Sequence, residues 1–329
     1  MIRFSVLLLP SVLCVLPAAA QVKLTSSQEK IPVEIDGKPF GTFFVGGPGV
    51  NRPYLHPLRS ASGKAVTRSN PIGQIPGESA DHPHQVGLFF GHGDVNGYNY
   101  WATLQATGPK QGRIVLKKLV SVKSGKETGT VDAIFDWLSP AGKPIITEAR
   151  KMIFYSDPKL RIVDVDIDLT ALEKVSFNDT KEGTFAIRLA TVLEEPHSAV
   201  IDHPEADQTI KRTGKMTNAQ GAEGEEKVWG KRSEWVDYCG VVDGEKVGVA
   251  VMDHPGSTRF PTYWHARSYG LLSANPFGVR DFLNDKTKDG TLVLQAGEHA
   301  HFRYRVVVHP GDTASAGIAA LYKKFAAMK

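Results

Sequence analysis

Between residues 113 and 193 apolar side chains recur at every second position. Val131, Ala133, Phe135 and Trp137 alternate with Asp132 and Asp136. Val163, Val165, Ile167 and Leu169 alternate with Asp164, Asp166 and Asp168, and Phe185, Ile187 and Leu189 alternate with Ala186 and Arg188. A period of two puts one side of an extended chain in a core and the other in polar surroundings, whereas a helix repeats every 3.6 residues. Turn residues at Ser124-Gly125 and Ala141-Gly142 separate these runs at the spacing of antiparallel sheets. Residues 32–45 form a predicted hairpin around Asp36-Gly37, a pair suited to the positive φ angles of a tight turn. Strands resume at Val241-Val242, turn at Asp243-Gly244 and return over 247–252. A late strand alternates Phe302, Tyr304, Val306 and Val308 with His301, Arg303 and Arg305. Helical windows do not alternate with strands, which argues against a parallel α/β fold. One helix is predicted at the end, with an apolar stripe of Ile318, Leu321, Tyr322 and Phe325 and a cap at Asp312 or Thr313. The expectation is an all-β chain, a large antiparallel β-sandwich with one C-terminal helix.

The first twenty residues read as a secretory leader. Arg3 precedes an apolar run over 4–16, and Ala18-Ala19-Ala20 forms a small-residue cleavage site. The expected organisation is a signal peptide at 1–20 and one domain over 21–329, located in the periplasm or secreted. No later stretch reaches eighteen uninterrupted apolar residues, so no membrane span is expected. Cleavage leaves Cys239 alone, which rules out an intrachain disulfide. The net charge of +4 is spread along the chain without a basic block carrying interleaved aromatics, so no nucleic-acid partner is expected. Residues 202–232 are polar with little periodicity and read as a surface excursion.

The densest chemistry lies in residues 81–101. Three of the eleven histidines, His82, His84 and His92, fall there beside Asp81 and Asp94, around an apolar strand expected over 86–90. A second dense segment, 253–282, carries Trp264, His265, Arg267 and Asn275. Imidazole titrates near neutral pH, so clustered histidines suit proton transfer. His82, His84, His92 and His265 are the expected acid–base groups. Arg52, Asp94, Asn96, Trp101, Trp264, Arg267 and Asn275 are the expected substrate contacts, for a small sugar or oligosaccharide whose apolar faces stack on aromatics. A metal held by His82, His84 and His92, completed by His265, Glu78 or Asp94, is the alternative; the spacing matches no metal motif, and no cofactor is expected. Asp164, Asp166 and Asp168 read as the wet face of a strand rather than a calcium site, and Arg303 with Arg305 as either a carboxylate clamp or a solvated face.

Ordered motifs add a family resemblance. Asp81-His82-Pro83-His84, Gly91-His92-Gly93-Asp94-Val95-Asn96-Gly97 and Trp101 resemble the domain family DUF6807. So do Lys181-Glu182-Gly183-Thr184-Phe185 with Arg188, Trp229-Gly230-Lys231-Arg232 with Trp235, Asp253-His254-Pro255, residues 261–267, residues 274–278 and residues 302–305. Gln85 stands where that family usually has a second histidine. The resemblance implies a protein of bacterial carbohydrate catabolism. The methane-oxygenase label often attached to the family belongs to a protein of membrane helices, which this chain lacks after its leader. The organisation is also similar to galactose-mutarotase supersandwich proteins, with Gly297-Glu298 near the last strand. These readings imply an exported carbohydrate-active protein, an epimerase, lyase or hydrolase, with a non-catalytic sugar-binding module or a metal-dependent sugar enzyme as the alternatives.

Overall fold

In the computed structural model, which describes residues 21–102, 108–197 and 209–329, the alternating runs become long paired strands. One eight-stranded sheet has the order β12 (Lys215–Asn218), β13 (Trp235–Val242), β14 (Glu245–Asp253), β18 (His299–Pro310), β9 (Arg161–Ala171), β8 (Pro144–Tyr155), β7 (Thr128–Leu138) and β6 (Arg113–Lys123). The other has the order β1 (Val22–Leu24), β2 (Lys30–Ile35), β3 (Lys38–Phe44), β4 (Tyr54–His56), β5 (Leu88–His92), β11 (Gly183–Arg188), β16 (Leu271–Asn275) and β15 (Tyr263–Ala266). Every pairing within both sheets is antiparallel. A small ladder joins β10 (Val175–Phe177) to β17 (Leu292–Leu294). The fold is therefore the expected all-β sandwich.

The sheets face each other across one apolar core. In β7, buried and half-buried residues alternate without a break, with Val131, Ala133, Phe135 and Trp137 all buried. Trp137 meets Phe90 of β5 edge-on at 5.9 Å, Phe90 meets Phe302 of β18 at 5.8 Å, and Phe185 of β11 stacks on Tyr304 at 4.4 Å. These aromatic contacts join the two sheets in the middle and fix their spacing.

The acidic row of β9 finds its partners on β18. The register sets Asp164 opposite Arg305, Asp166 opposite Arg303 and Asp168 opposite His301. Arg305 grips the buried Asp164 through two hydrogen bonds of 2.6 and 2.8 Å. His301 Nδ1 lies 2.9 Å from Asp168, and Arg303 Nε lies 3.7 Å from Asp166. The two arginines are thus engaged within the molecule, and opposite charges directly across strands are a standard source of sheet stability.

Several expectations shift. The strand expected over 86–90 runs two residues later, as Leu88–His92, because Gly87 sits at φ +55° and a Cβ there would lie 2.2 Å from the Leu55 carbonyl oxygen. Only glycine fits that close approach, and it ends the preceding loop. Within the polar stretch 202–232, residues 202–208 lie outside the described residues, but β12 and the short helix α1 (Glu225–Val228) are ordered structure where a loop was expected. Four-residue elements are too short for a periodic signal. A second short helix, α2, spans Val279–Phe282. The C-terminal helix α3 (Ile318–Ala326) buries Ile318 and Phe325 against the outer face of the β12-containing sheet. It starts after Gly317 at φ +66° rather than at a capping side chain, while Asp312 accepts from the Ser315 N–H in the turn before it. Residues 1–20 lie outside the described residues.

Candidate functional site

Four strands of the β5-containing sheet line up side chains on the face turned away from the core. Phe89 pairs with Ala186, Ala186 with Ser273, and Ser273 with His265. Residues directly opposite in a ladder share a face. Phe89, Ala186 and Leu271 belong to a small apolar cluster with Trp101, Tyr269, Tyr54 and Val86, separate from the intersheet core. The loop bearing His82 and His84 crosses this face.

Asp81 organises that loop. Its carboxylate accepts two hydrogen bonds of 2.8 Å from Arg188 and one of 2.9 Å from Arg68. Arg188 also donates to Gln85 Oε1 at 2.8 Å, which gives Gln85 a structural role in place of the family's histidine. Arg68 reaches the His82 carbonyl at 3.0 Å. Burial alone would raise the Asp81 carboxyl, but the His82 hydrogen bond and the two guanidiniums outweigh it and hold the group well below the ordinary carboxylate range.

His82 Nδ1 lies 2.6 Å from Asp81 Oδ2, and the His82 side chain remains 42 % exposed. Its ring stacks on Tyr269 at 5.3 Å and lies 5.8 Å from the His84 ring, edge to face. An ionised carboxylate at Nδ1 favours the N–H there and leaves Nε2 as the basic nitrogen. Arg188 sits 4.7 Å over the Tyr269 ring and Arg267 5.4 Å over it, while burial pushes the Tyr269 phenol up to about 12. Tyr269 is thus a neutral donor.

The remaining residues of the early run divide. The His84 imidazole is half-buried, and burial, then Arg52, push it down to about 3, so it is neutral. Arg52 is fully buried under the Phe89 ring at 3.6 Å and donates to the carbonyls of Trp101 and His84, so it shapes the loop rather than meeting a substrate. Trp101 is buried, with its ring 6.5 Å from His84; it walls the site but has no open face for stacking. His92 faces the other way. It is fully buried among Phe177 and Phe277, with Nε2 2.8 Å from the Asn178 carbonyl. β5 runs on to residue 92, and the period of two sets His92 on the core side with Leu88 and Phe90, so the acid–base role expected of it does not fit. Asp94 accepts from Gly97 N–H and Asn178 Nδ2, and Asn96 bridges the Lys174 carbonyl and the Ser176 N–H. Both are loop staples, and the ligand contacts expected of them do not fit either.

The late segment divides in the same way. Trp264 is fully buried, its indole N–H donating to the Ser233 carbonyl at 2.8 Å, which excludes a stacking role. Asn275 is fully buried, spending its amide on the Thr180 and Lys181 carbonyls and its oxygen on Phe277 and Gly278 N–H groups. It holds the 180–181 turn in place instead of touching a ligand. His265 donates from Nδ1 to the Lys181 carbonyl at 2.9 Å, leaving Nε2 as its acceptor nitrogen. Burial, then Arg267 and Lys181, push it down to about 3, and His82 lies within the same field. Arg267 is half-buried and pairs with Glu225 at 2.9 Å. The early and late segments thus meet through His82, Tyr269, Arg267 and His265. Beside His265, Phe282 lies at 6.4 Å, stacked with Tyr263 at 5.6 Å and edge-on to Trp229 at 5.5 Å.

Sequence reasoning passed over Glu182, Asp81, Arg188 and Tyr269 as site residues. Glu182 is half-buried; burial raises its carboxyl above the ordinary range against the pull of Lys181, His82 and Arg267. It stands in the motif 181–185, and Asp81 directly precedes His82, so both had a local signal. Tyr269 had none. Glu298, by contrast, is exposed and closes its own turn by accepting from Gln295 N–H. Among the described residues, side chains spaced to hold a metal form two groups, Asp237 with Cys239 and His309, and Asp166 with Asp168 and His301. Neither draws on the early histidine run.

A large antiparallel sandwich with an Asp–His pair and an elevated carboxyl on one outer sheet face defines the class. The chain belongs to the family of unknown function DUF6807, whose model matches residues 30–323. Comparison with curated proteins returns no match. Among solved structures, a galactose mutarotase-like protein from Clostridium acetobutylicum matches at 10 % identity and TM-score 0.37, over 88 % of this chain and 95 % of that one. A GH36 α-galactosidase from Geobacillus stearothermophilus, in complex with raffinose, matches at 9 % identity and TM-score 0.37, over 89 % of this chain. A kojibiose phosphorylase from the human microbiome matches at 8 % identity and TM-score 0.34, over 68 % of this chain. The chain spans only 40 % of the α-galactosidase and 26 % of the phosphorylase. No helix among the described residues is long and apolar enough to cross a membrane.

Proposed function

We propose that this protein is a carbohydrate-active enzyme that moves protons on a sugar. The observation that carries this reading is the Asp81–His82 pair, a half-buried carboxylate clamped by two arginines at 2.8 and 2.9 Å that orients a solvent-reachable imidazole. In this reading His82 Nε2 takes a proton from a sugar hydroxyl or an acidic C–H. Glu182, tuned toward its protonated form, returns one on the other side. A carboxyl raised by burial is a usual proton donor in acid–base catalysis. Tyr269, stacked on the His82 ring, and the buried neutral His265 form the floor beneath the pair, and Arg267 places a cation at the rim. The aromatic edges of Tyr263, Phe282 and Trp229 suit the apolar faces of a pyranose. His84 packs His82 in position.

The test is solvent exchange. The chain will be incubated in D2O with free aldoses, simple glycosides and their 3-keto derivatives, and followed by proton NMR. Faster anomer interconversion, C–H deuteration or a new product supports the proposal. Saturable binding by calorimetry with no chemical change across the panel would make this a sugar-binding module and sink the catalytic reading.

We further propose that the protein is exported, on the strength of the leader pattern in residues 1–20. N-terminal sequencing of material from the native host should then begin at Gln21. A retained Met1 in cytosolic fractions would overturn this.

A further inference from the structure

On the outer face of the β12-containing sheet, next to the turn that leads into α3, three side chains converge from two strands that are not neighbours. Asp237 and Cys239 come from β13 and His309 from β18, with β14 between them. They meet across Gly248, which the register sets between Cys239 and His309. A Cβ on Gly248 would lie 2.3 Å from His309 Cε1 and 2.8 Å from Cys239 Sγ. The missing side chain is what lets the imidazole and the thiol come together. His309 Nε2 is 3.0 Å from Asp237 Oδ1, and Cys239 Sγ is 3.1 Å from Asp237 Oδ2. All three donor atoms lie within 4.8 Å of one another.

The imidazole faces oxygen on both sides. Nδ1 lies 3.1 Å from the Pro310 carbonyl while Nε2 addresses the carboxylate. A neutral imidazole has one N–H, so a ring that donates to both acceptors is an imidazolium, and it balances the Asp237 carboxylate while no ion is bound. A backbone carbonyl on Nδ1 is also the usual device that fixes the tautomer of a metal-binding histidine and turns the Nε2 lone pair toward the ion. One thiolate, one imidazole and one carboxylate form a donor set of mixed softness, which suits a borderline divalent ion rather than calcium or magnesium.

We propose that Asp237, Cys239 and His309 bind one divalent ion of the zinc class. On loading, the thiol proton and the Nε2 proton pass to solvent, and Asp237 turns from accepting those protons to ligating the ion. The net charge does not change, since a thiolate, a carboxylate and a dication replace a thiol, a carboxylate and an imidazolium. Three protein ligands leave one tetrahedral position. Of the three, Cys239 lines a cavity of about 490 Å³ whose walls include Trp235, Thr217 and Thr313, from which water or a small ligand would complete the shell. The ion would tie β13 to β18 over the top of β14. This site lies apart from the His82 face, and its fate is independent of the sugar reading.

Cobalt(II) reports the geometry directly. The chain from Gln21 onward, dialysed against chelator, is titrated with cobalt chloride. The expected result is one equivalent bound, with a near-ultraviolet thiolate-to-cobalt band and the intense visible bands of a four-coordinate ion. Zinc should displace both. Cys239→Ser should abolish the near-ultraviolet band, and His309→Gln should weaken binding at least tenfold. Absence of the thiolate band at cobalt excess in the unmodified chain overturns the proposal, as does its persistence in Cys239→Ser.

Discussion

Asparagine at His82 will lower turnover on the responsive sugar by about a thousandfold, within the range that a positioned acid–base group contributes. Asparagine is the informative replacement because His82 sits at φ 42°, a left-handed conformation that asparagine tolerates. The exposed side chain carries little stability, so the melting temperature should stay within about 2 °C, as expected of a surface change in a chain of this size. Asp81→Asn should cost as much activity, because an amide at Nδ1 would turn the imidazole to the tautomer with its proton on Nε2. It should also lower the melting temperature, since Arg68 and Arg188 would be left buried against a neutral group. Full activity in His82→Asn would remove the imidazole from the chemistry altogether. A comparable stability loss in both variants would mean that His82 is held for structure.

The second large effect concerns the sheet that carries no part of this face. Arg305→Ala will destabilise the fold by about 3–5 kcal/mol, the cost of leaving one partner of a buried pair uncompensated. Its guanidinium and the Asp164 carboxylate are 8 % and 2 % exposed, and Tyr155 adds a third hydrogen bond to the same carboxylate at 2.8 Å. For a chain of this length that corresponds to a fall in melting temperature of about 4–8 °C. Replacing both partners together, with Met at Arg305 and Leu at Asp164, should recover most of the loss, because no unpaired charge remains. A single variant that unfolds within about 1 kcal/mol of the parent would show that the pair is solvated after all.

The candidate site was partly legible before any coordinates. His82 and His84 stood out through density of titratable groups, and the structure sets both on the same face as His265 and Arg267. His92, Asp94 and Asn96 shared that density for a different reason. β5 runs on to residue 92, where His92 falls on the core side in phase with Leu88 and Phe90, while the next loop uses Asp94 and Asn96 to satisfy its own backbone. Trp264 and Asn275 misled in the same way. A buried indole and a buried amide with their hydrogen bonds filled look, in a sequence, like groups awaiting a ligand. Glu182 stood in a motif without a stated role, and Tyr269 could be assigned to the site only once the 268–270 turn was seen beside the early loop.

The chain's own order of residues determined the class of fold. Alternation with period two is local, so it survives in one dimension, and it was enough to require strands, antiparallel pairing and a two-sheet core. Which side chains meet was decided by register and by close approaches such as Gly87 against Leu55 and Gly248 against His309. Those depend on pairs of residues far apart in the chain. No local pattern encodes them, because a shift of one position in a strand sends every side chain to the opposite face.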